Sequence, residues 1–422
     1  MTARTTRVDR SAPWRPSGQP LTAEEKDWAA HDFDATDVTR MQDPFRLFRF
    51  LRDEHPVARS DAGGRPSWVI SRYEDVRAVA RDHEHFLSSH GVGVSPLGNE
   101  RPMIPIETDP PDHAVYRRMI GDLFSASAIA QLEPSVRAVT RELIADIVNG
   151  PHRQCDLVRD LAYEQPMRVM WAEPLLGDPL MPLGSSGSTA SATFRSWVHD
   201  FKHDPERTRP AAALMRSHVE AVLENRRRRR RNDIPTRLLA AEIHGAPLSF
   251  EAAADFMFTL FSAGTATTGD ALSGTFLYLA TQPDAVERMR RREVDIDRAV
   301  DELIRYFGPS QAEGRTAAAD VEVSGVTIRA GDAVQILWNS ANRDERVFDR
   351  PDDVDLGRSP NPHIAFGVGV HRCLGLHLAR LQVRVAVEEW LDAVPAFGLS
   401  EGANVEWSVG LDRSLRALHV VW

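Results

Sequence analysis

The sequence predicts a mainly α-helical fold with a minor antiparallel β region. Helical hydrophobic periodicity covers most of the chain, and the few β-like runs do not alternate with helices as they do in a doubly wound fold. No internal repeat or linker clearly divides the chain. Its 422 residues are compatible with two or three domains or with one large fold.

The helices are identified by apolar residues spaced three and four apart and by the residues at their ends. Asp43 and Pro44 suit the N-cap and first position of an early helix. Further helices are predicted at residues 127–149, 210–231, 249–281, 295–306 and 374–394. Short strands are predicted at residues 68–70, 321–323, 326–328, 334–338 and 417–422, of which the middle three resemble a meander.

The composition excludes several classes of protein. With 51 Lys and Arg against 61 Asp and Glu, the net charge of −10 disfavours nucleic-acid binding as the main role. The run Arg226–Arg231 could be a nucleic-acid or membrane patch, but a solvated helix end is the favoured interpretation. No stretch of about 18 apolar residues predicts a membrane span, and Met1–Lys26 lacks the apolar region of a signal peptide.

Two cysteines, Cys155 and Cys373, are too few for a disulfide framework or a Cys₄ zinc site. They favour a reducing compartment, and we expect a cytoplasmic protein. Cys155 matches no motif and is predicted to be structural.

The longest predicted helix has Ser249 as its N-cap and stops at Gln282-Pro283. At 1.5 Å per residue it spans about 50 Å. Its centre carries residues of low helix propensity, Gly264, Thr265, Thr267, Thr268 and Gly269. This cluster predicts either a kink with close approach of a ligand or a packing seam of small residues, and both remain open.

Residues 366–375 read Phe-Gly-Val-Gly-Val-His-Arg-Cys-Leu-Gly and open the last predicted helix. Backbone N–H groups at a helix start stabilise a thiolate such as that of Cys373. The flanking glycines allow a flat ligand to lie close, so the loop suits a thiolate that binds iron. The glycine spacing does not fit a dinucleotide fingerprint. A lone cysteine is, however, more often a small buried hydrophobe.

This loop resembles the haem-binding loop of the cytochromes P450. Three further segments match in the family's order: Glu302–Arg305, the stretch from Asn342 to Arg358, and Ala263–Thr268. The resemblance implies one P450-like fold, with haem b between the long central helix and the Cys-bearing helix. The similarity covers Asp43–Trp422 and is closest to bacterial members without a membrane anchor. It predicts a P450 domain at 43–422 after a partly flexible extension at 1–42.

The resemblance also implies the site residues. Cys373 is the expected axial ligand of haem iron, in a loop that contacts haem through Phe366, Gly367 and Gly375. The expected propionate partners are His113, Arg117, Arg315 and His371, with Glu313 a looser candidate. Glu302, Arg305 and Arg358 resemble the family's structural triad.

Thr267, with Gly264 and Ala263, matches the stretch that activates oxygen. Thr267 is expected to handle protons, and Gly264 to leave room for dioxygen. Ala266 stands where the family usually has Asp or Glu, which removes a general acid worth about 10²–10⁴-fold. Asp270 could substitute through water. Otherwise protons come from a water or substrate relay, turnover is slow, or the chemistry is atypical, such as peroxygenase-like oxidation, oxidative coupling or desaturation.

The expected activity is monooxygenation of a small organic molecule of secondary or catabolic metabolism, with electrons from ferredoxin and ferredoxin reductase. Arg117, Arg372 and Arg380 could form a basic dock for that partner. The pocket is expected from residues 86–106, 258–267, 309–314 and 405–411; Thr265, Gln311 and Trp407 are weak candidates for pocket groups, and Gly91, Gly93, Ser95 and Gly98 suggest a mobile lid. A non-enzymatic haem sensor is the other alternative, which Thr267 beside Gly264 disfavours.

Overall fold

The computed structural model describes residues 12–62, 66–93, 101–172, 174–177, 189–204 and 206–422. The helices are α1 Ala23–His31, α2 Phe45–Glu54, α3 Tyr73–Arg81, α4 Asp112–Ile120, α5 Ala126–Gln131, α6 Glu133–Val148, α7 Glu164–Trp171, α8 Thr189–His203, α9 Thr208–Arg228, α10 Ile234–Leu239, α11 Phe250–Thr281, α12 Pro283–Arg290, α13 Ile296–Phe307, α14 Trp338–Ala341 and α15 Leu376–Ala393. The strands are β1 Val57–Ser60, β2 Ser67–Ile70, β3 Phe86–Leu87, β4 Gln154–Asp156, β5 Glu242–Ile243, β6 Ala246–Pro247, β7 Ala312–Ala317, β8 Val321–Val323, β9 Val326–Ile328, β10 Ala333–Leu337, β11 Gly398–Leu399, β12 Trp407–Ser408, β13 Ser414–Leu415 and β14 His419–Val421. The predicted mainly helical class is confirmed.

Helix α11 follows its predicted bounds. The Ser249 hydroxyl accepts a hydrogen bond from the Ala252 backbone N–H at 3.0 Å, and the helix ends before the C-cap Gln282. A Cβ atom on Gly269 would lie 2.9 Å from the Tyr163 ring, and one on Gly274 would lie 2.5 Å from Cβ of Phe307. Both glycines therefore allow close packing, and for Gly269, which belongs to the small-residue cluster, this is the interpretation as a packing seam.

Several helices differ from the prediction; the one predicted at 127–149 is divided into α5 and α6, and the one predicted at 210–231 ends at Arg228. Asp43 does not cap α2; its carboxylate accepts a hydrogen bond from the Ser17 backbone N–H at 2.9 Å, and Pro44 occupies the cap position. Arg226 is not part of a solvated helix end, because its guanidinium is fully buried against Asp233 and the Gly177 carbonyl. The rest of the arginine run, residues 227–231, is exposed.

The largest sheet has the strand order β1-β2-β10-β7-β3. All its pairs are antiparallel except β2 with β10. Strand β7 lies between β10 and β3, a position that carries Arg315 toward the interior. A smaller sheet pairs β14 with both β11 and β4, so Cys155 lies opposite Val420.

Helix α11 joins two apolar cores. Residues 253–266 contribute to a core formed with α7, α8 and α9, whereas residues 271–280 contribute to a core formed with α2, α13 and α15. The change of core therefore falls between Ala266 and Ala271, a stretch that includes Thr267. No helix in the described part of the chain is long and apolar enough to cross a membrane.

Part of the predicted N-terminal extension packs on the second of these cores. Trp14 is buried, and its indole N–H donates to the Thr281 hydroxyl at 2.9 Å. Its ring centroid lies 5.3 Å from those of Tyr278 and Tyr306. Residues 1–11 lie outside the described residues. The division of the chain at residue 42 stays a prediction.

Candidate active site

A cavity of about 320 Å³ lies beside the centre of α11. Its walls include residues of α11, α4, β7, α8, the turn between β12 and β13 and the loop at residues 366–375. It brings together all the residues for which a catalytic or cofactor-binding role was predicted: Ala263, Gly264, Thr267, His113, Arg117, Arg315, Phe366, Gly367, His371, Cys373 and Gly375. Glu313 also lines it.

The loop that carries Cys373 is closed by a backbone hydrogen bond from the Cys373 N–H to the Phe366 carbonyl, 2.8 Å long. Gly367 and Gly369 have φ angles of +67° and +75°, which side-chain-bearing residues rarely adopt. A Cβ atom on Gly369 would also lie 2.8 Å from the carbonyl oxygen of Ala80. The glycines are thus required by the backbone of this loop.

The Cys373 side chain opens into the cavity. Enclosure raises the pKa of its thiol, while the Gly375 backbone N–H and the Arg117 guanidinium act in the opposite direction. A metal cation beside a thiol deprotonates it outright. The sulfur is therefore suited to a bound cation such as iron.

Two histidines meet at another wall of the cavity. The ring centroids of His113 and His371 lie 4.2 Å apart. Burial lowers the pKa of His113 to about 4, with a further contribution from Arg117. Burial likewise lowers the pKa of His371 to about 3, aided by His113 and Arg315. Both shifts favour the neutral form of the rings, and the His371 Nε2 atom has no hydrogen-bond partner among the described residues.

Two guanidinium groups accompany these rings. Arg117 donates through Nη1 to the Arg372 carbonyl at 2.7 Å, and burial lowers its pKa. Arg315 donates through Nη1 to the Gly314 carbonyl at 2.6 Å and lies 3.4 Å from the Glu313 carboxylate. An added pair of carboxylates, such as the haem propionates, would supply the acceptor that His371 lacks and balance this positive charge. The donor set therefore fits haem.

The three predicted triad residues are in direct contact. Glu302 Oε2 accepts from Arg305 Nε at 2.7 Å and from Arg358 Nε at 3.0 Å. Arg305 also donates to the carbonyls of Asn342 and Pro351. Since Glu302 and Arg305 are almost fully buried, this network ties α13 to the segment at residues 342–358.

On α11, the Thr267 hydroxyl faces the cavity and donates to the Ala263 carbonyl at 2.7 Å. A Cβ atom on Gly264 would lie 3.0 Å from the terminal methyl of Met170, so this side chain lies beside the glycine. Ala266 is buried in the core with α7 and α8 and is not part of the cavity wall.

Asp270 lies one turn after Thr267 but outside the cavity wall. The Tyr163 hydroxyl donates to its Oδ1 atom. Burial raises the pKa of Asp270 to about 7, the charge of Asp412 adds to this shift, and Lys202 opposes it. The idea that Asp270 replaces the missing acid stays a prediction.

The weak pocket candidates do not line the cavity. The Thr265 hydroxyl donates to the Phe261 carbonyl, and the Gln311 amide donates to the Gly410 carbonyl. Trp407 lies under the Arg413 guanidinium, 3.8 Å from the ring centroid. Of the predicted lid, Ser95 and Gly98 lie outside the described residues.

Among the wall residues that sequence reasoning missed are two charged ones, Lys202 and Asp412. They form an ion pair, although 210 residues separate them. A signal for Lys202 was present in the sequence, because of the 51 Lys and Arg only Lys26 and Lys202 are lysines. Nothing local marks Asp412, since only the fold brings it to the cavity.

The three arginines of the predicted basic dock have different surroundings. Arg117 lines the cavity, and Arg380 pairs with Asp301 at 2.6 Å. Arg372 is the exposed member.

Comparison with known proteins adds independent information. A family model described as "Cytochrome P450" matches residues 35–393. The "Probable cytochrome P450 127A1" of Sinorhizobium fredii is 35% identical over 365 residues, 85% of each chain. The "Mycinamicin IV hydroxylase/epoxidase" of Micromonospora griseorubida is 32% identical over 385 residues, covering 88% of this chain and 94% of that protein.

Solved structures similar to this chain are also cytochromes P450. The crystal structure of cytochrome P450 CYP101C1 has a TM-score of 0.81 at 28% identity, covering 95% of this chain and all of that one. A structure of a mutant of P450 EryK in complex with erythromycin B has a TM-score of 0.79 at 30% identity, covering 92% of this chain and 97% of that one.

Proposed function

The chain belongs to the cytochrome P450 family and is a monooxygenase; we propose that it holds haem b in its cavity. There it oxidises a small, mostly apolar molecule of secondary or catabolic metabolism. The observation that carries the proposal is the convergence of Cys373, the His–Arg set and Thr267 on one cavity. When bound, haem supplies the iron chemistry that activates dioxygen. The relative named "Mycinamicin IV hydroxylase/epoxidase" supports the oxidation of an organic molecule.

Separate residues of the chain bind the iron and the propionates of haem. Cys373 binds the iron, and His113, His371, Arg117 and Arg315 hold the propionates. Because Arg117 is also close to the Cys373 sulfur, it stabilises the thiolate and a propionate together.

Thr267 holds a proton at Oγ1 on the cavity side of α11. Its hydroxyl is held by the Ala263 carbonyl at 2.7 Å, so rotation of one torsion angle releases it toward a reacting group. Apolar side chains line much of the remaining wall and exclude bulk water, which strengthens such hydrogen bonds.

Electrons come from separate redox partners. We propose a ferredoxin with its reductase, docking near the exposed Arg372. The cytoplasmic location follows from the cysteine usage alone and stays a prediction.

A second candidate is an atypical P450 that uses hydrogen peroxide or catalyses coupling or desaturation. The observation that favours it is Ala266, which lies in an apolar core where the family's acid is absent. Turnover with hydrogen peroxide in the absence of ferredoxin supports this candidate, and turnover only with NAD(P)H and redox partners supports monooxygenation. A haem sensor would turn over substrate neither with hydrogen peroxide nor with NAD(P)H and redox partners.

The primary test is the spectrum of the reduced protein with carbon monoxide. We expect the red-shifted Soret band of a thiolate-bound haem in the wild type and its loss in Cys373→Ser. Cys155→Ser is the matched control, because burial raises the pKa of Cys155 to about 12 and its side chain does not line the cavity. A wild-type protein without this band would overturn the proposal.

A further inference from the structure

An ion pair stands in the wall of the cavity. Lys202 from α8 and Asp412 from the turn between β12 and β13 both line it, and their side chains are 11% and 7% exposed. Many of the other wall residues are apolar, including Met103, Phe201 and Leu411. A buried ion pair is costly to desolvate and contributes little stability by itself. Its presence in this wall is therefore more readily explained by binding than by folding.

Asp412 is fixed in place by its neighbours. The Gln311 N–H donates to the Leu411 carbonyl at 2.8 Å, and the Arg413 N–H donates to the Pro309 carbonyl at 2.8 Å. Its Oδ1 atom accepts from the Ser310 hydroxyl at 3.1 Å, and its Oδ2 atom contacts Lys202. Both carboxylate oxygens are thus occupied, so Asp412 orients Lys202 rather than binding a ligand itself.

Lys202 retains unused donors. An ammonium group has three N–H donors, and among the described residues its one partner is Asp412. Elsewhere the chain uses arginine for nearly every cation; Lys26, the other lysine, is at the surface. A lysine presents its donors from one compact point, whereas a guanidinium needs a planar partner. The remaining N–H groups are therefore suited to a single oxygen atom.

The charges around Lys202 favour a neutral oxygen of the ligand over a charged group. Two carboxylates, Asp412 and Asp270, interact with this one ammonium group. Asp412 already balances the Lys202 charge, so a ligand carboxylate would add an uncompensated negative charge to an enclosed site, and a ligand amine would have to compete with Lys202 for Asp412. A neutral acceptor incurs neither cost.

We propose that Lys202 is a specificity-determining residue that donates a hydrogen bond to a neutral carbonyl oxygen, of a ketone, ester or lactone, at one end of an otherwise apolar substrate. This inference rests on the proposed function, because it assumes that the substrate occupies this cavity. Asp412 acts as the positioning residue that aims the Lys202 ammonium group.

Matched ligands test the proposal by binding rather than turnover. The probes are phenylcyclohexane, 4-phenylcyclohexanone and 4-phenylcyclohexanecarboxylate, with cyclododecane and cyclododecanone as a second pair. Their dissociation constants are measured from the change in the Soret spectrum of the ferric holoprotein. We expect each ketone to bind about tenfold more tightly than its hydrocarbon, as a hydrogen bond to a charged donor predicts, and the carboxylate to bind more weakly than the ketone.

Variants assign the effect to Lys202. In Lys202→Met/Asp412→Asn, which removes both charges together, the preference for ketone over hydrocarbon should disappear while the hydrocarbon still binds. Lys202→Arg should keep part of the preference, and the surface control Lys26→Met should keep all of it. Equal binding of ketone and hydrocarbon in the wild type, tighter binding of the carboxylate, or an unchanged preference in the double variant would each overturn the proposal.

A second measurement does not depend on the variants. With two lysines in the sequence, ¹³C-lysine labelling gives two side-chain signals, which Lys26→Arg assigns. In the ferrous carbonyl form, the ketone should shift the Lys202 signal and the hydrocarbon should not; identical shifts would overturn the proposal. A normal carbon monoxide spectrum in the same sample shows that the proposed function stands even when this inference fails.

Discussion

The imidazole rings of His113 and His371 lie 4.2 Å apart although 258 positions separate them in the sequence. Because the His371 Nε2 atom has no partner among the described residues, we expect it to donate to a haem propionate. His371→Phe should then release haem about tenfold faster or more, since a hydrogen bond to a charged group is lost. His371→Gln, which keeps a donor, should release it more slowly than His371→Phe. Haem transfer to apomyoglobin measures both rates, and equal rates in the two variants and the wild type would contradict the assignment.

Removal of the Glu302 carboxylate should prevent formation of the holoprotein. In Glu302→Ala, Arg305 and Arg358 lose a shared partner in a buried site, a loss worth about 3–5 kcal/mol. The expected result is little haem-loaded protein, measured as the ratio of haem to protein after purification. Glu54→Ala at the surface is the control and should load normally. Normal haem content in Glu302→Ala would refute the structural role.

Thr267 and Thr265 provide a matched pair on one helix. Both hydroxyls donate back to the carbonyl four residues earlier, but only Thr267 faces the cavity. We expect Thr267→Ala to lower the amount of product formed per electron consumed, because proton handling is impaired, whereas Thr265→Ala should leave this ratio unchanged. The measurement compares NAD(P)H consumption with product and peroxide yield. An unchanged ratio in Thr267→Ala would remove Thr267 from the proton path.

Asp270 should make the protein less stable as the pH rises. Its pKa is about 7 in the folded chain against 3.8 when unperturbed. Between these values the folded state binds more protons, so the free energy of unfolding falls as the pH rises through this range, by up to about 1.4 kcal/mol per pH unit. Asp270→Asn removes this dependence and keeps an acceptor for the Tyr163 hydroxyl.

We therefore expect Asp270→Asn to be more stable than the wild type by about 2–4 kcal/mol at pH 8 and by clearly less at pH 5. Chemical denaturation of the holoprotein at the two pH values measures the difference. Asp392→Asn, on the exposed side of α15, is the control and should show no such pH dependence. A uniform effect of Asp270→Asn at both pH values would contradict a raised pKa.

Local signals predicted much of this structure. The bounds of α11 follow from Ser249 and Gln282-Pro283, since a cap and a proline act within one turn. The cysteine loop was identified from its resemblance to the family's haem-binding loop, and the structure gives the physical reason for two of its glycines, since Gly367 and Gly369 have positive φ angles.

Features set by distant contacts were missed. Strand β7 contains Gly314 and Arg315 and has no apolar alternation, so only its pairing between β10 and β3 makes it a strand. Arg226 was expected in solvent because its partners, Asp233 at the N-cap of the next helix and the Gly177 carbonyl, lie outside its own helix. Lys202 and Asp412 form a site only once the chain has folded, and no local pattern predicts such a pair.

The contact of Trp14 with Thr281 has a consequence for biosynthesis. These residues are 267 positions apart, and a ribosome adds roughly 5–20 residues per second. The indole of Trp14 therefore spends tens of seconds outside the exit tunnel before the surface that covers it has been made. During that interval the nascent chain presents an aromatic anchor with no native partner, which makes this segment a natural place for a chaperone to bind.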